Sequence, residues 1–448
     1  MRFCLVAVLT AASVFGAAFR AGVAKADITP LPGEVMWGYE NRLTPATGML
    51  DPLYARVFVL EGGGTRLALV TLDLGRPFGP SSLERLRTSA KRNSGIQCLL
   101  VTASHSHAGP IVLDDHKGAL PAWEESALSK IEAAIQEASA RLVEARLGTG
   151  SGAAYIGHNR LRVNPDGTTT WFERNLTKVP TAPVDPTVSV LRVDKADGAP
   201  LAILVNYSCH PVVFGPDNLQ YSADFPAVMN RTVEAAFEGK AISFFLQGAP
   251  GDINPYFAVT PLKEDAVKMR EWTGRHLGEE AARVAKQIHT ETSPDASIDF
   301  VENTLTAKLR WNEQKFREAL LRFLGPKGFE VYGAQIKPEL KLPVSTVLIG
   351  KRIALMTMPG EPFVDFQINW RDRCPVRDAF FLGYANGYLG YFPTIRAASS
   401  GGYGAASAST WVEPGAGERM VDNAVVRVYE MLGKLGDVPD DLKRDVYK

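Results

Sequence analysis

His105-Ser-His107 closes the apolar run 98–104 and sets two imidazoles at the end of a predicted buried strand. Side chains two apart on a strand share a face, so these rings can converge on one metal ion or one substrate. With seven His in 448 residues, the pair is informative. Five more apolar runs end in comparable polar tails. Leu67 to Leu72 leads to Asp73, Leu201 to Val205 leads to Asn206 and His210-Pro211, and Ile242 to Leu246 leads to Gln247, Asp252 and Asn254. Ile353 to Met358 leads to Pro359-Gly-Glu361-Pro362, and Phe380 to Leu382 leads to Tyr384, Asn386, Tyr388 and Tyr391. If the tails meet, His105, His107, His210 and Glu361 form a donor set suited to Zn²⁺. Taken singly, the pieces have plainer readings. His210-Pro caps a strand, Glu361 is a turn carboxylate, Pro250-Gly-Asp252 is a turn, and the three tyrosines are core or rim aromatics.

Short β-prone runs separated by longer helical patterns predict an α/β chain: mixed, largely buried β-sheets flanked by helices, in a single catalytic domain. Sites in open α/β sheets form beyond the carboxyl ends of strands, where these tails lie. Helices are expected over 124–145, over 262–289 with Val267, Trp272, Leu277, Ala281 and Val284 inward, and over 417–432 with Val421, Ala424, Val425, Val428 and Leu432 inward. The Gly/Ser/Ala-rich stretch 397–409 reads as a mobile loop able to close over a site.

Composition narrows the function. The chain is 46% hydrophobic and 22% charged, enough for a large core, and its 49 basic and 49 acidic residues give no field for nucleic acid. Residues 1–18 carry an early Arg2, an apolar stretch and Gly16-Ala17-Ala18, the pattern of an export signal, with Arg20 too close to permit a membrane span. The expected product is secreted or periplasmic, with a catalytic domain over 19–448 and no transmembrane anchor after cleavage. Cys98, Cys209 and Cys374 would then remain, an odd number that argues against a disulfide scaffold, and Cys209 beside His210 reads as a buried small hydrophobe.

The motifs in order resemble the neutral/alkaline non-lysosomal ceramidases. The matching pieces are Gly22-Val-Ala-Lys-Ala26-Asp27-Ile-Thr29-Pro30, Met36-Trp-Gly38-Tyr39, Thr102-Ala-Ser-His105-Ser-His107-Ala-Gly109-Pro110 and Asn159-Arg160. They continue with Asn206-Tyr-Ser-Cys-His210-Pro211, Gly251-Asp252-Ile-Asn254-Pro255, Pro359-Gly-Glu361 and Asn386-Gly-Tyr388-Leu-Gly-Tyr391. The resemblance implies cleavage of an N-acyl amide with zinc held by His105, His210, Glu361 and Tyr391. It places His107 beside the substrate carbonyl or behind the metal ligands, and it loosely matches Tyr403 to a tyrosine of the flexible segment. Two departures stand out. Asn254 replaces a serine to which the family assigns a catalytic role, and the family's C-terminal β-sandwich is not expected here, since only 411–448 follow the ligand region.

An amide cannot serve as that hydroxyl, which favours attack by zinc-activated water. Asp252 or Glu361 is then the expected proton acceptor, and His107 or Asn254 the group that polarises the carbonyl. The expected substrate is a small acylated amide or related ester, ceramide itself being doubtful without the sandwich. Two rivals are a different single-metal hydrolase of esters or phosphoesters, and a lipid- or glycan-binding relative that has lost catalysis. Oligomeric state has no signature in the sequence.

Overall fold

The computed structural model describes residues 18–116, 118–329 and 337–436. Residues 1–17, which hold nearly all of the export-signal pattern, lie outside the described residues. Two sheets face each other between outer helices. The larger has eight strands, in spatial order Ile242–Gln247, Pro200–Tyr207, Thr187–Lys195, Val143–Ala153, Arg20–Asp27, Tyr54–Gly62, Thr65–Leu72 and Cys98–Ala103. Its two outermost pairs are parallel, and the pairs between them antiparallel. The smaller sheet orders Ile298–Lys308, Glu339–Ile349, Ile353–Thr357 and Asp378–Leu382, and its last pair is parallel. The fold is therefore mixed α/β, as the sequence predicts.

The core between the sheets joins Phe58, Leu100, Leu204 and Phe244 to Val347, Leu355, Phe380 and Leu382. Helices Pro80–Ser94 and Ala122–Ala140 cover part of the outer face of the large sheet, and Phe225–Ala236 and Ala266–Gln287 cover the rest. Helices Val364–Arg373 and Ala416–Met431 cover the outer face of the small one. Strands buried on both faces need apolar side chains at every position, which is why these runs lack alternation.

Some boundaries shift. The helix expected over 124–145 stops at Ala140, because Val143 starts a strand. A 3₁₀ turn at Leu262–Glu264 and the left-handed Asp265 (φ 59°) precede the helix Ala266–Gln287. That helix buries Leu277, Ala281 and Val284 but leaves Val267 exposed. The stretch 397–409 is less loop-like than expected: helix Ile395–Ser400 enters it, the Thr410 hydroxyl donates to Gly404 O at 2.9 Å, and Arg310 Nη1 donates to Ala405 O.

Polar side chains stitch the two sheets together at the strand ends. Asn206 Nδ2 donates to Leu246 O at 2.9 Å and Phe381 O at 2.8 Å, while Gln247 Nε2 reaches Ser104 O and Cys209 O. Asn386 Oδ1 accepts from Val101 N at 2.9 Å, and the Thr102 hydroxyl donates to Gly383 O. Each is buried, so losing one partner leaves an unsatisfied group costing about 1–3 kcal/mol. This seam holds the polar tails at fixed separations.

Candidate metal centre

His105 follows the strand Cys98–Ala103 in a left-handed conformation (φ 69°), so strand alternation does not bring the two imidazoles together. The turn does: the rings of His105 and His107 meet edge to face with centroids 4.8 Å apart and Nε2 atoms 3.1 Å apart. Tyr384 (φ 47°) and Asn386 (φ 58°) share the unusual backbone region, and such strain gathers at functional sites.

Both ring orientations are set from behind. His105 Nδ1 lies 2.6 Å from Gly75 O, and His210 Nδ1 lies 2.6 Å from Pro250 O and 3.1 Å from Ile253 O. Carbonyls only accept, so each Nδ1 carries a proton, and in the neutral ring Nε2 is then the atom that presents a lone pair. Burial beside Arg160 pulls the His210 imidazole down to about 3, which keeps it neutral. Glu361 heads a two-residue strand paired in register with Tyr391, and its Oε2 sits 3.1 Å from His210 Nε2 and 3.4 Å from His105 Nε2. Burial alone would raise this carboxyl, but His105 and His210 hold it well below the usual range. The ligand atoms of His105, His210 and Glu361 all lie within 4.8 Å of one another. Three lone-pair donors this close repel one another unless a cation lies among them, and two imidazoles with a carboxylate match zinc.

Three tyrosines surround the carboxylate. Tyr388 donates to Glu361 Oε1 at 2.5 Å and Tyr384 to Oε2 at 3.1 Å. Tyr391 instead stacks near His210, centroids 6.5 Å apart, and its oxygen accepts from Arg160 Nη2 at 2.8 Å. The buried Arg160 also donates to Gly251 O and Asn254 Oδ1, and its guanidinium lies within 5.6 Å of the Trp171, Tyr391 and Tyr403 rings. In the sequence Arg160 is only part of a motif, and nothing there distinguishes Tyr384 and Tyr388 from core or rim aromatics. Their signal was proximity in space, which one sequence lacks.

His107 is gripped by the loop 37–42. Arg42 donates to His107 O, the Tyr39 ring packs at 5.0 Å, and a Cβ on Gly38 (φ +101°) would lie 2.3 Å from His107 Cγ. Burial, with His105 next, drives the His107 imidazole well below its ordinary value, and its buried Nδ1 has no hydrogen-bond partner among the described residues.

Asn254 and Asp252 are placed differently from the expectation. Asn254 Nδ2 donates to Glu173 O at 3.0 Å while Oδ1 accepts from Arg160, so this amide fixes Arg160 rather than facing a carbonyl. Asp252 Oδ1 accepts from Val364 N at 2.8 Å and Oδ2 from Asn159 Nδ2 at 2.7 Å, tying three segments together. Neither residue lines the pocket above the centre. That pocket is bounded by His105, His107, Glu361, Tyr388 and Tyr391 below and by Trp37, Glu40, Leu320, Leu324, Tyr403 and Trp411 around them.

The family model for the N-terminal part of neutral/alkaline non-lysosomal ceramidases matches residues 19–271, more than half of the chain. The chain belongs to that family. A solved structure of the neutral ceramidase from Pseudomonas aeruginosa is similar, with TM-score 0.72 and 21% identity over 94% of this chain and 76% of that one. A ceramidase complexed with C2 gives TM-score 0.73 and 21% identity over 94% and 77%. At that identity the likeness speaks for the fold. Family membership makes the chain a ceramidase-like hydrolase, of a class acting on amide bonds. Among the described residues no helix is long and apolar enough to cross a membrane.

Proposed function

We propose that this ceramidase-like protein is a zinc-dependent hydrolase of small N-acyl amides or related esters. The observation that carries the proposal is the convergence of His105, His210 and Glu361 with both histidines fixed to present Nε2. Zinc held there would supply Lewis acidity and a source of nucleophilic oxygen near neutral pH. Tyr391 is the fourth candidate ligand, its hydroxyl steered by Arg160. Tyr384 and Tyr388 fix both oxygens of Glu361, so the carboxylate keeps one orientation. His107, on the pocket wall, is the group placed to orient or polarise a substrate carbonyl, with Asn254 acting indirectly through Arg160. Glu361 lines the pocket and Asp252 does not, which favours Glu361 over Asp252 as proton acceptor. The pattern over residues 1–18 supports export to the periplasm or the medium.

The test is a panel of acyl amides, the matching esters and ceramide, assayed with chelated enzyme and with enzyme reloaded with zinc. Amide cleavage that disappears on chelation and returns with zinc is expected. Cleavage unaffected by complete metal removal would overturn the proposal, and cleavage confined to esters would favour the ester-hydrolase rival.

A further inference from the structure

Two charged residues of the pocket wall, Glu40 and Arg76, are left unused by the amide-hydrolase reading. Glu40 lines the same pocket as His105 and Glu361, yet it has no hydrogen-bond or ion-pair partner among the described residues. The other charged groups nearby are committed. Arg76 pairs with Asp114 and stacks at 5.0 Å on Tyr388, and Arg160 is buried behind Tyr391 and Tyr403. The loop carrying Glu40 is rigidly mounted: the Tyr39 hydroxyl donates to Phe214 O at 2.6 Å, and Arg42 donates to Trp37 O and His107 O. Glu40 itself is exposed, but the pocket wall removes enough water to raise its carboxyl, and no cation among the described residues offsets that cost. Its charge reaches Tyr403, where it adds to the larger effect of desolvation in raising the phenol.

A carboxylate mounted on a rigid loop, partly desolvated and without an ion-pair partner among the described residues, gains most from a ligand that brings a counter-charge. We propose that Glu40 is a specificity residue that binds a cationic group on the amine half of the acylated substrate. This rests on the amide-hydrolase reading and narrows its substrate class. The acyl half has apolar surface available at Leu320, Leu324 and Trp411, so an amide joining an apolar acyl chain to a polyfunctional amine matches the lining. Glu40 touches no candidate metal ligand by hydrogen bond, so changing it leaves the centre intact.

The experiment uses the zinc-loaded full chain and three probes sharing one acyl group: an N-acyl diamine with a free ammonium, an N-acyl amino alcohol and an N-acyl amino acid. Binding is read from tryptophan fluorescence, since Trp37 and Trp411 line the pocket, and kcat/KM is read in parallel. The wild type is expected to prefer the diamine probe, Glu40→Gln to lose roughly tenfold on that probe alone, and Glu40→Lys to turn the preference toward the amino acid probe. Absence of a Glu40-dependent difference between probes, including absence of binding, overturns the inference. Discrimination in binding without cleavage of any probe would instead count against the hydrolase reading and leave Glu40's role standing.

Discussion

Glu361 and Asp252 are both almost fully buried carboxylates at the same end of the sheets, yet their surroundings push them apart. Glu361 faces His105 and His210 and is held well below the usual range, although burial opposes it. Asp252 faces the Val364 amide and the Asn159 side chain, and burial pushes it up to about 7. The pair shows that burial raises both carboxyls while the groups facing each one decide the outcome. One carboxylate is kept ionised among the candidate metal ligands; the other is a neutralisable tie between the start of helix Val364–Arg373 and Asn159.

The largest expected effect comes from erasing the ionised member. Glu361→Gln keeps the volume but removes the charge, and amide hydrolysis should fall at least about 1,000-fold together with zinc retention. Hydrolysis persisting at wild-type rate would break the contrast.

Asp252 gives a pH signature of opposite kind. A folded-state carboxyl titrating near 7 keeps its proton between pH 4 and 7, whereas the unfolded chain has lost it. Stability should therefore be highest at the acid side of that window and fall as pH rises through it, by up to about 4 kcal/mol. Denaturant titrations from pH 5 to 8 should show this slope in the wild type and a flatter one in Asp252→Asn. Equal slopes would mean that Asp252 ionises normally.

Gly38→Ala sharpens the comparison from the substrate side. Its Cβ would lie 2.3 Å from His107 Cγ in a backbone conformation that L residues rarely adopt, so His107 must move. A loss of about 100-fold in kcat/KM with zinc content unchanged is expected. Loss of zinc as well would place His107 among the ligands. The smallest effect is expected for Asn254→Ser, which shortens the acceptor that holds Arg160 but removes nothing that faces the pocket. Activity should change by no more than about tenfold, with an unaltered pH profile; a large gain would restore the serine-based reading.

Much of the fold was legible because fully buried strands leave continuous apolar runs. The ends of those runs marked His105, His210 and Glu361 correctly as neighbours. Two things were not legible. The convergence of His105 and His107 depends on a left-handed residue, and His105 has no sequence mark for one. The amide of Asn254 looked free to meet an oxyanion, but its partners Glu173 and Arg160 are about 80 and 90 positions away, and only folding brings them there. The tyrosines were legible as a cluster and illegible as individuals. Tyr384 and Tyr388 donate to Glu361 whereas Tyr391 accepts from Arg160, a difference that only the folded chain displays.

The central claim is that His105, His210 and Glu361 hold a single zinc ion. Elemental mass spectrometry of the purified mature protein, alongside His210→Ala and Glu361→Ala shown to be folded by circular dichroism, tests it directly. About one zinc per wild-type chain and almost none in either variant is expected. A folded wild type without bound metal after zinc loading, or variants that keep the full complement, would contradict it.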